Sequence, residues 1–132
     1  MTIKDVCKQF GITADTLRYY ERVGVIPKVS RNKNGRRDYA AEDMEWVRNA
    51  VCMRNAGLPV ETLAEYVRLF QEGDETIQAR RDLLAEARKE IRMQLERTAE
   101  TLKLLDYKVS MYDEAIRTGN LSWDKLESIA NE

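Results

Sequence analysis

The second half of the chain contains a long segment without glycine or proline, which runs from Thr76 to about Thr118. Mostly apolar residues recur along it every seven positions, in two series that lie four residues apart. We call these twelve positions the seam: Ile77, Leu84, Ile91, Thr98, Leu105 and Tyr112, with Arg81, Arg88, Leu95, Leu102, Val109 and Ile116. This spacing predicts one continuous coiled-coil helix.

Such a helix has to be covered by another surface. About 43 residues at ~1.5 Å each give a helix of roughly 64 Å, which the rest of a 132-residue chain cannot enclose. A second copy is the economical partner, so we expect a homodimer. Arg81 and Arg88 do not suit a uniform parallel zipper, and they indicate an antiparallel crossing or packing of this end on another domain. The expected interface residues are Leu84, Ile91, Leu95, Leu102, Leu105, Val109, Tyr112 and Ile116.

The first residues of the chain predict a helix-turn-helix over 2–24. Thr2 and Thr13 are good helix caps, and a glycine follows each short helix at the point where it should end. In the second helix Leu17 and Tyr20 are expected to face inward. The outward face carries hydrogen-bonding side chains: Asp15, Thr16, Arg18, Tyr19 and Arg22.

A basic segment, "VIPKVSRNKNGRRDY", follows at residues 25–39, and we call it the wing. Asn34-Gly35 favours a hairpin with a type I′ turn, which needs positive φ at both central residues. A basic hairpin after two short helices is typical of a winged helix-turn-helix, in which the cations of the wing lie along DNA phosphates. The cations here are Lys28, Arg31, Lys33, Arg36 and Arg37.

The predicted fold class is mainly α, in three parts. Residues 1–73 form a winged helix-turn-helix domain that also contains helices over 41–56 and 60–72, and Phe70 is expected to face inward in the second of these. Residues 74–118 form the coiled-coil helix, and residues 119–132 a short tail helix.

The charges are distributed unevenly between the two halves of the chain. Residues 1–59 carry 11 Lys and Arg against 7 Asp and Glu, a net charge of +4, and residues 60–132 carry 11 against 16, a net charge of −5. A basic first half favours a polyanionic partner.

Several classes of function are not expected. The chain has no histidine, and its two cysteines lack metal-site spacing, so we expect no metal and no cofactor. No constellation of catalytic residues indicates an enzyme. Without an apolar run of about 18 residues or a signal peptide, we expect no contact with a membrane and a cytoplasmic location.

Three segments, "TADTLRYYERVGVIP", "NGRRDY" and "NAGLPVETL", together with the long helix, resemble the MerR family of bacterial transcription regulators. The resemblance implies a dimer that binds double-stranded promoter DNA with an overlong spacer. Bending and untwisting of that spacer would realign the promoter for RNA polymerase. It also implies DNA contacts by Thr16, Arg18, Tyr19 and Arg22 in the second helix, and by Arg37 and Tyr39 in the wing. Thr13 completes the candidate DNA-binding set.

The two cysteines have different predicted roles. Cys7 lies on the apolar face of the first helix and is expected in the core. Cys52 lies off the apolar side of its helix, one turn after Arg48, and a nearby guanidinium favours the reactive thiolate. "VCMRNAGLPVE" resembles a small branch of the family with a single sensor cysteine, which responds to aldehydes and other electrophiles. We therefore hypothesise that a small electrophile modifies Cys52, beside a hinge at residues 57–59.

Two alternatives remain open from the sequence. A regulator of the same family could bind a different small molecule, in a pocket lined by Tyr66, Phe70, Tyr107 and Tyr112. A coiled-coil adaptor could instead bind an acidic protein and no DNA. Specific DNA binding that weakens steeply with salt would distinguish a regulator from an adaptor.

Overall fold

The computed structural model describes residues 1–123 and is mainly α-helical, as predicted. Its helices are α1 (Ile3–Phe10), α2 (Ala14–Val23), α3 (Ala41–Asn55), α4 (Val60–Glu72) and α5 (Ile77–Thr118), with a short 3-10 turn at Asp74–Thr76. Residues 119–123 are not helical, and the rest of the predicted tail helix lies outside the described residues.

The contacts within the chain define two units, Met1–Arg88 and Lys89–Glu132. The first contains α1 to α4 and the beginning of α5. The domain boundaries expected after residues 73 and 118 stay predictions.

The two short helices begin and end at the residues that the sequence indicates. The Asp5 amide donates to the Thr2 hydroxyl at 3.2 Å, and the Thr2 amide donates to the Asp5 carboxylate at 3.1 Å. These hydrogen bonds hold the pKa of the Asp5 carboxyl below its usual value. Thr13 caps α2 by accepting from the Thr16 amide at 3.1 Å. Both helices end at a glycine in the left-handed conformation, which glycine adopts at little cost because it has no Cβ.

One hydrophobic core holds the first three helices, the wing and α4 together. The inward face of α2 lies at its centre, because Leu17 is fully buried and Tyr20 is only 7% exposed. The cluster consists of Val6, Leu17, Tyr20, Val25, Ile26, Val29, Tyr39, Val47, Ala50 and Leu63. Burial of this face fixes which side chains of α2 point outward.

The prediction that Phe70 faces inward is wrong. Its side chain is 42% exposed and packs edge-on against Trp46, with ring centroids 5.0 Å apart. The Arg80 guanidinium lies 5.2 Å from the centroid of the Phe70 ring. Phe70 is thus held at the rim of the core by an aromatic edge and a cation, and both contacts are compatible with exposure.

A buried threonine fixes the corner between α4 and α5. The Thr76 hydroxyl donates towards the carbonyls of Leu69 at 2.5 Å and Gly73 at 2.8 Å, and it accepts from Arg80 Nε at 3.0 Å. Thr76 is 8% exposed. Loss of its hydroxyl would remove the donor that the Leu69 carbonyl uses at this corner.

None of the α5 side chains is buried within the described part of the chain. Among the exposed apolar residues of the seam, the exposed fraction ranges from 38% at Leu84 to 82% at Ile116. Leu95, Leu102, Leu105, Val109 and Tyr112 are exposed as well, and Ile91 is half-buried. The predicted dimer interface is therefore an uncovered apolar surface in the single chain.

We expect Thr76→Val to lower the free energy of unfolding by about 1–2 kcal/mol, because it removes the hydroxyl that is hydrogen-bonded to Leu69, Gly73 and Arg80. The matched control is Thr101→Val in α5, where the exposed hydroxyl donates to its own helix at 3.2 Å. That variant should stay within about 0.5 kcal/mol of the wild type. Urea denaturation of both variants checks this, and equal losses would contradict the role assigned to Thr76.

Candidate nucleic-acid interface

The outward face of α2 presents the side chains that the sequence predicts. Arg18 is about half exposed and pairs with Asp15 at 3.2 Å, one turn earlier on the helix. Arg22 lies over the Tyr19 ring, 5.3 Å from its centroid. An exposed ion pair of this kind contributes little to stability, so the arginine can exchange it for another anion at little cost.

Two hydroxyl groups, of Thr13 and Thr16, lie at the N-terminal end of the same face of α2. The Thr13 hydroxyl donates to the Thr16 hydroxyl at 2.9 Å while it caps the helix. Thr16 is half-buried and Thr13 is exposed. The predicted contacts of α2 therefore occupy one continuous surface, which begins at its N-terminus.

The wing is a hairpin reduced to one antiparallel bridge, between Arg31 and Arg37. The type I′ turn predicted at Asn34-Gly35 is wrong, because φ is positive at Gly35 (78°) and not at Asn34. The turn instead closes through the Gly35 amide, which donates to the Asn32 carbonyl at 2.9 Å. The Asn32 side chain accepts from the amides of Asn34 and Arg36 and thereby fixes this conformation.

A groove of about 600 Å³ separates the wing from the first turn of α1. Five cationic residues line it, and they come from α1, α2 and the wing: Lys4, Arg18, Arg31, Arg36 and Arg37. Arg31 also supports the turn, since it donates to the Gly35 carbonyl at 2.7 Å. We call this feature the wing groove, and its positive charge suits a phosphodiester backbone. Lys28 is exposed near the start of the wing and lies outside the groove.

Arg37 connects the wing to α2. Its Nε donates to Glu21 Oε2 at 2.7 Å, and the two side chains are 21% and 11% exposed. From the sequence, Arg37 is predicted to contact DNA. In the structure it also forms a largely buried ion pair with Glu21. Breaking such a pair leaves an uncompensated charge, so Arg37 positions the wing whatever else it contacts.

Tyr39 lies in the core and not on the exposed surface expected of a DNA contact. It is 2% exposed, and its hydroxyl is buried without a hydrogen-bond partner. Burial raises the pKa of Tyr39 to about 12. Its ring is needed to complete the core beneath the wing, which is why it cannot also face solvent.

Cys52 is exposed on α3, as its position off the apolar side of the helix predicts. Cys7, which was predicted in the core, is half-buried and packs against the edge of the core. Arg48, which we expected beside Cys52, is hydrogen-bonded to Glu45 at 2.6 Å and lies over the Phe10 ring at 5.9 Å. The guanidinium thus has other partners, on α3 itself and on α1.

Sequence reasoning missed Lys4. Its position in the first turn of α1 gives no reason to group it with the wing, which follows some thirty residues later in the printed sequence. A signal was present in the charge pattern, because Lys4 lies off the apolar face that α1 uses for packing. What the sequence could not provide is the closure of the chain that brings α1 next to Arg36.

Comparison with known proteins identifies the family to which this chain belongs. The family model described as MerR HTH family regulatory protein matches residues 1–69. The transcriptional regulator AdhR of Bacillus subtilis is 56% identical over 91 residues, which are 69% of this chain and 65% of AdhR. The chain belongs to the MerR family. The adaptor hypothesis is thereby rejected, because MerR proteins are DNA-binding transcription regulators.

Two solved structures of MerR regulators support the assignment over most of the chain. One, from Listeria monocytogenes, has a TM-score of 0.84 and 38% identity and covers 98% of this chain and 96% of its own. The other is HiNmlR, a regulator lacking the sensor domain, in complex with promoter DNA. It has a TM-score of 0.81 and 29% identity and covers 90% of this chain and 94% of its own.

The family assignment also shows that the chain is a regulator and not an enzyme, since these relatives are named as transcription regulators. Among residues 1–123, no group of three or more His, Cys, Asp or Glu side chains is arranged to hold a metal ion. Over the same residues, no helix is long and apolar enough to cross a membrane.

We expect Tyr39→Phe to leave the affinity for DNA unchanged and the protein at least as stable, because it removes a buried hydroxyl that has no partner. The effect on stability should grow between pH 10 and 12. In that range the unfolded chain ionises its tyrosine before the folded chain does, so the wild type loses stability as the pH rises. Denaturation at pH 7 and 11 and binding to a duplex selected by the wild type from a random library check this. A clear loss of affinity would restore Tyr39 as a DNA contact.

We also expect Lys4→Gln to weaken DNA binding through loss of a phosphate contact in the wing groove. The slope of log affinity against log salt concentration should become shallower by about 0.9, the value for one phosphate. Lys8→Gln is the matched control, because Lys8 is exposed in the last turn of the same helix and lies outside the groove. Fluorescence anisotropy over a salt series checks this. Equal slopes for the two variants would remove α1 from the interface.

Proposed function

We propose that this MerR regulator acts as a homodimer on a promoter with an overlong spacer, and that it distorts the spacer so that RNA polymerase can use it. The observation that carries this proposal is the paired arrangement of an exposed α2 face and the cation-lined wing groove on one rigid core. A dimer can place two such surfaces about one DNA turn apart, and contacts on both sides offset the cost of deformation.

Within each surface we assign separate tasks. Thr16, Arg18, Tyr19 and Arg22 contact base edges and phosphates in the major groove, and Thr13 supports them at the start of the helix. The wing contributes phosphate contacts through Lys28, Arg31, Arg36 and Arg37, together with Lys4 of α1. Tyr39 supports the wing from the core. The similarity to HiNmlR, which binds promoter DNA, supports this division.

We further propose that Cys52 senses small electrophiles such as aldehydes. Its exposure on α3 gives a reagent access. Addition of an aldehyde forms a bond between Sγ and the carbonyl carbon, and the proton of the thiol passes to the carbonyl oxygen. The resemblance to the branch with a single sensor cysteine and the 56% identity to AdhR support this choice of signal.

The segment after Cys52 suits the transmission of such a signal. The Cys52 carbonyl accepts from the Ala56 amide at 3.2 Å, in the last turn before Gly57. Arg54 then donates to the Leu58 carbonyl at 2.6 Å and fixes the link to α4. An adduct on Cys52 would crowd this turn and change the angle at which α4 leaves α3.

A cysteine variant tests the sensor. We expect Cys52→Ser to bind the promoter duplex with wild-type affinity and to lose at least about 90% of the induction by methylglyoxal or formaldehyde, because a hydroxyl is a far weaker nucleophile than a thiolate. Run-off transcription from the regulator's own promoter measures induction. Cys7→Ser is the control, and it should respond like the wild type.

Normal induction of Cys52→Ser would exclude this cysteine as the sensor and leave the DNA-binding proposal intact. It would also favour the alternative ligand pocket. For that alternative, Tyr66 and Phe70 lie in the first unit and Tyr107 and Tyr112 in the second, so it stays a prediction. A regulator of promoters acts where the DNA is, which places the proposed site of action in the bacterial cytoplasm.

A further inference from the structure

Helix α2 contains two acidic side chains, and they lie in opposite environments. Glu21 is 11% exposed and accepts a hydrogen bond from Arg37 of the wing. Asp15 lies in the first turn of the helix and is 97% exposed. The surface proposed to bind DNA therefore contains a carboxylate among its arginines and hydroxyls, and none of the contacts proposed above uses it.

A carboxylate at this place opposes binding to DNA in general. Phosphates repel it, and so does any base edge that presents only hydrogen-bond acceptors. Its position becomes favourable where the DNA presents a donor. In the major groove the donors are the amino groups of cytosine and adenine. The exposure of Asp15 therefore points to a role in distinguishing one base pair from another.

Asp15 and Arg18 form a unit that contains both donors and an acceptor. Nη1 of Arg18 donates to Oδ1 of Asp15 at 3.2 Å, from a position three residues further along the helix. In the described part of the chain, Nε and Nη2 of the guanidinium and Oδ2 of the carboxylate have no hydrogen bond. Since Arg18 is also about half exposed, the unit presents two donor groups beside one acceptor to an incoming duplex.

The major-groove edge of a G·C pair is complementary to this unit. Guanine presents two acceptors, N7 and O6, and the cytosine amino group lies next to them as a donor. At an A·T pair, one donor of the arginine would meet the adenine amino group, and the carboxylate would meet the thymine oxygen. We infer that Arg18 donates to a guanine while Asp15 accepts from the amino group of the paired cytosine.

This inference rests on the DNA-binding face of α2 in the proposed function and adds the base pair that it reads. Asp15 is then a specificity-determining residue. At a matching site the hydrogen bond from cytosine offsets the repulsion between the carboxylate and the DNA. At every other site the repulsion remains, so the same side chain weakens binding to unrelated sequences.

Removal of the carboxylate tests this role. For Asp15→Ala, we expect the preference for G·C over A·T at one position of each half-site to fall about 10-fold per half-site, the effect of one good base contact. Affinity for a duplex of unrelated sequence should rise, because a negative charge near the phosphates is lost. Fluorescence anisotropy measures both, on a duplex selected by the wild type from a random library and on its single base-pair replacements, each made in both half-sites.

Glu45→Ala on α3 is the matched control. Glu45 accepts from Arg48 at 2.6 Å, again three residues along a helix, and both side chains are exposed. The variant loses the same charge and the same kind of ion pair, and its base preferences should equal those of the wild type. Asp15 also stabilises the first turn of α2 through the helix dipole, but that contribution is equal for all duplexes and cancels in a ratio of affinities.

A modified base tests the contact itself. N4-methylcytosine still pairs with guanine, and its methyl group replaces the amino hydrogen that faces the major groove. We expect the wild type to bind a duplex with this base at the inferred position about 10-fold more weakly per half-site. Asp15→Ala should bind the modified and unmodified duplexes equally.

Three results would overturn the inference. They are equal losses of the wild type and Asp15→Ala on the modified duplex, unchanged base preferences in Asp15→Ala, and a selected site that requires no G·C pair in its half-sites. A wild type that selects no sequence from the library would instead contradict the base contacts assigned to α2 in the proposed function.

Discussion

The uncovered apolar seam of α5 is the constraint from which the proposed organisation of this regulator follows. A helix of 42 residues without a buried side chain in the described chain loses the hydrophobic contribution that stabilises most helices. In the proposed homodimer, a second copy would restore this contribution along the seam. The doubling of the DNA-binding surface would be a consequence of that pairing.

Within the first unit, the burial of the inner face of α2 is the constraint that fixes which of its side chains lie on the surface. Leu17 and Tyr20 cannot rotate outward without opening the core, so Arg18, Tyr19 and Arg22 are held on the outside. The Arg37–Glu21 ion pair joins the wing to the same helix. This ion pair and the shared core hold α2 and the wing together, as the proposed distortion of DNA would require.

The segment between α3 and α4 is a short connection held by one side chain. Its backbone turns at Gly57, where φ is 92°, and Arg54 holds the following carbonyl. Cys52 lies one turn earlier, exposed on α3. The adduct proposed at that cysteine would therefore act on a short connection between two helices.

Local patterns in the sequence were sufficient for the helices, their caps and the seam. Thr2 and Thr13 cap through hydrogen bonds to residues three positions away, and the heptad repeats over neighbouring turns, so both signals are complete within a short window. The exposure of Arg18 and Cys52 followed from the same periodicity. These features need no knowledge of the rest of the chain.

Tertiary structure decided how the side chains of the interface divide their roles. Arg37 meets Glu21, 16 residues away, and the resulting pair makes a predicted phosphate contact into a support of the wing. Tyr39 fills the core instead of facing DNA, and Lys4 joins the wing across a groove. The sequence by itself determined which residues are helical and which are charged. Only the closed fold decided which charges pair with each other and which stay exposed, because pairing depends on distances between residues that no local period relates.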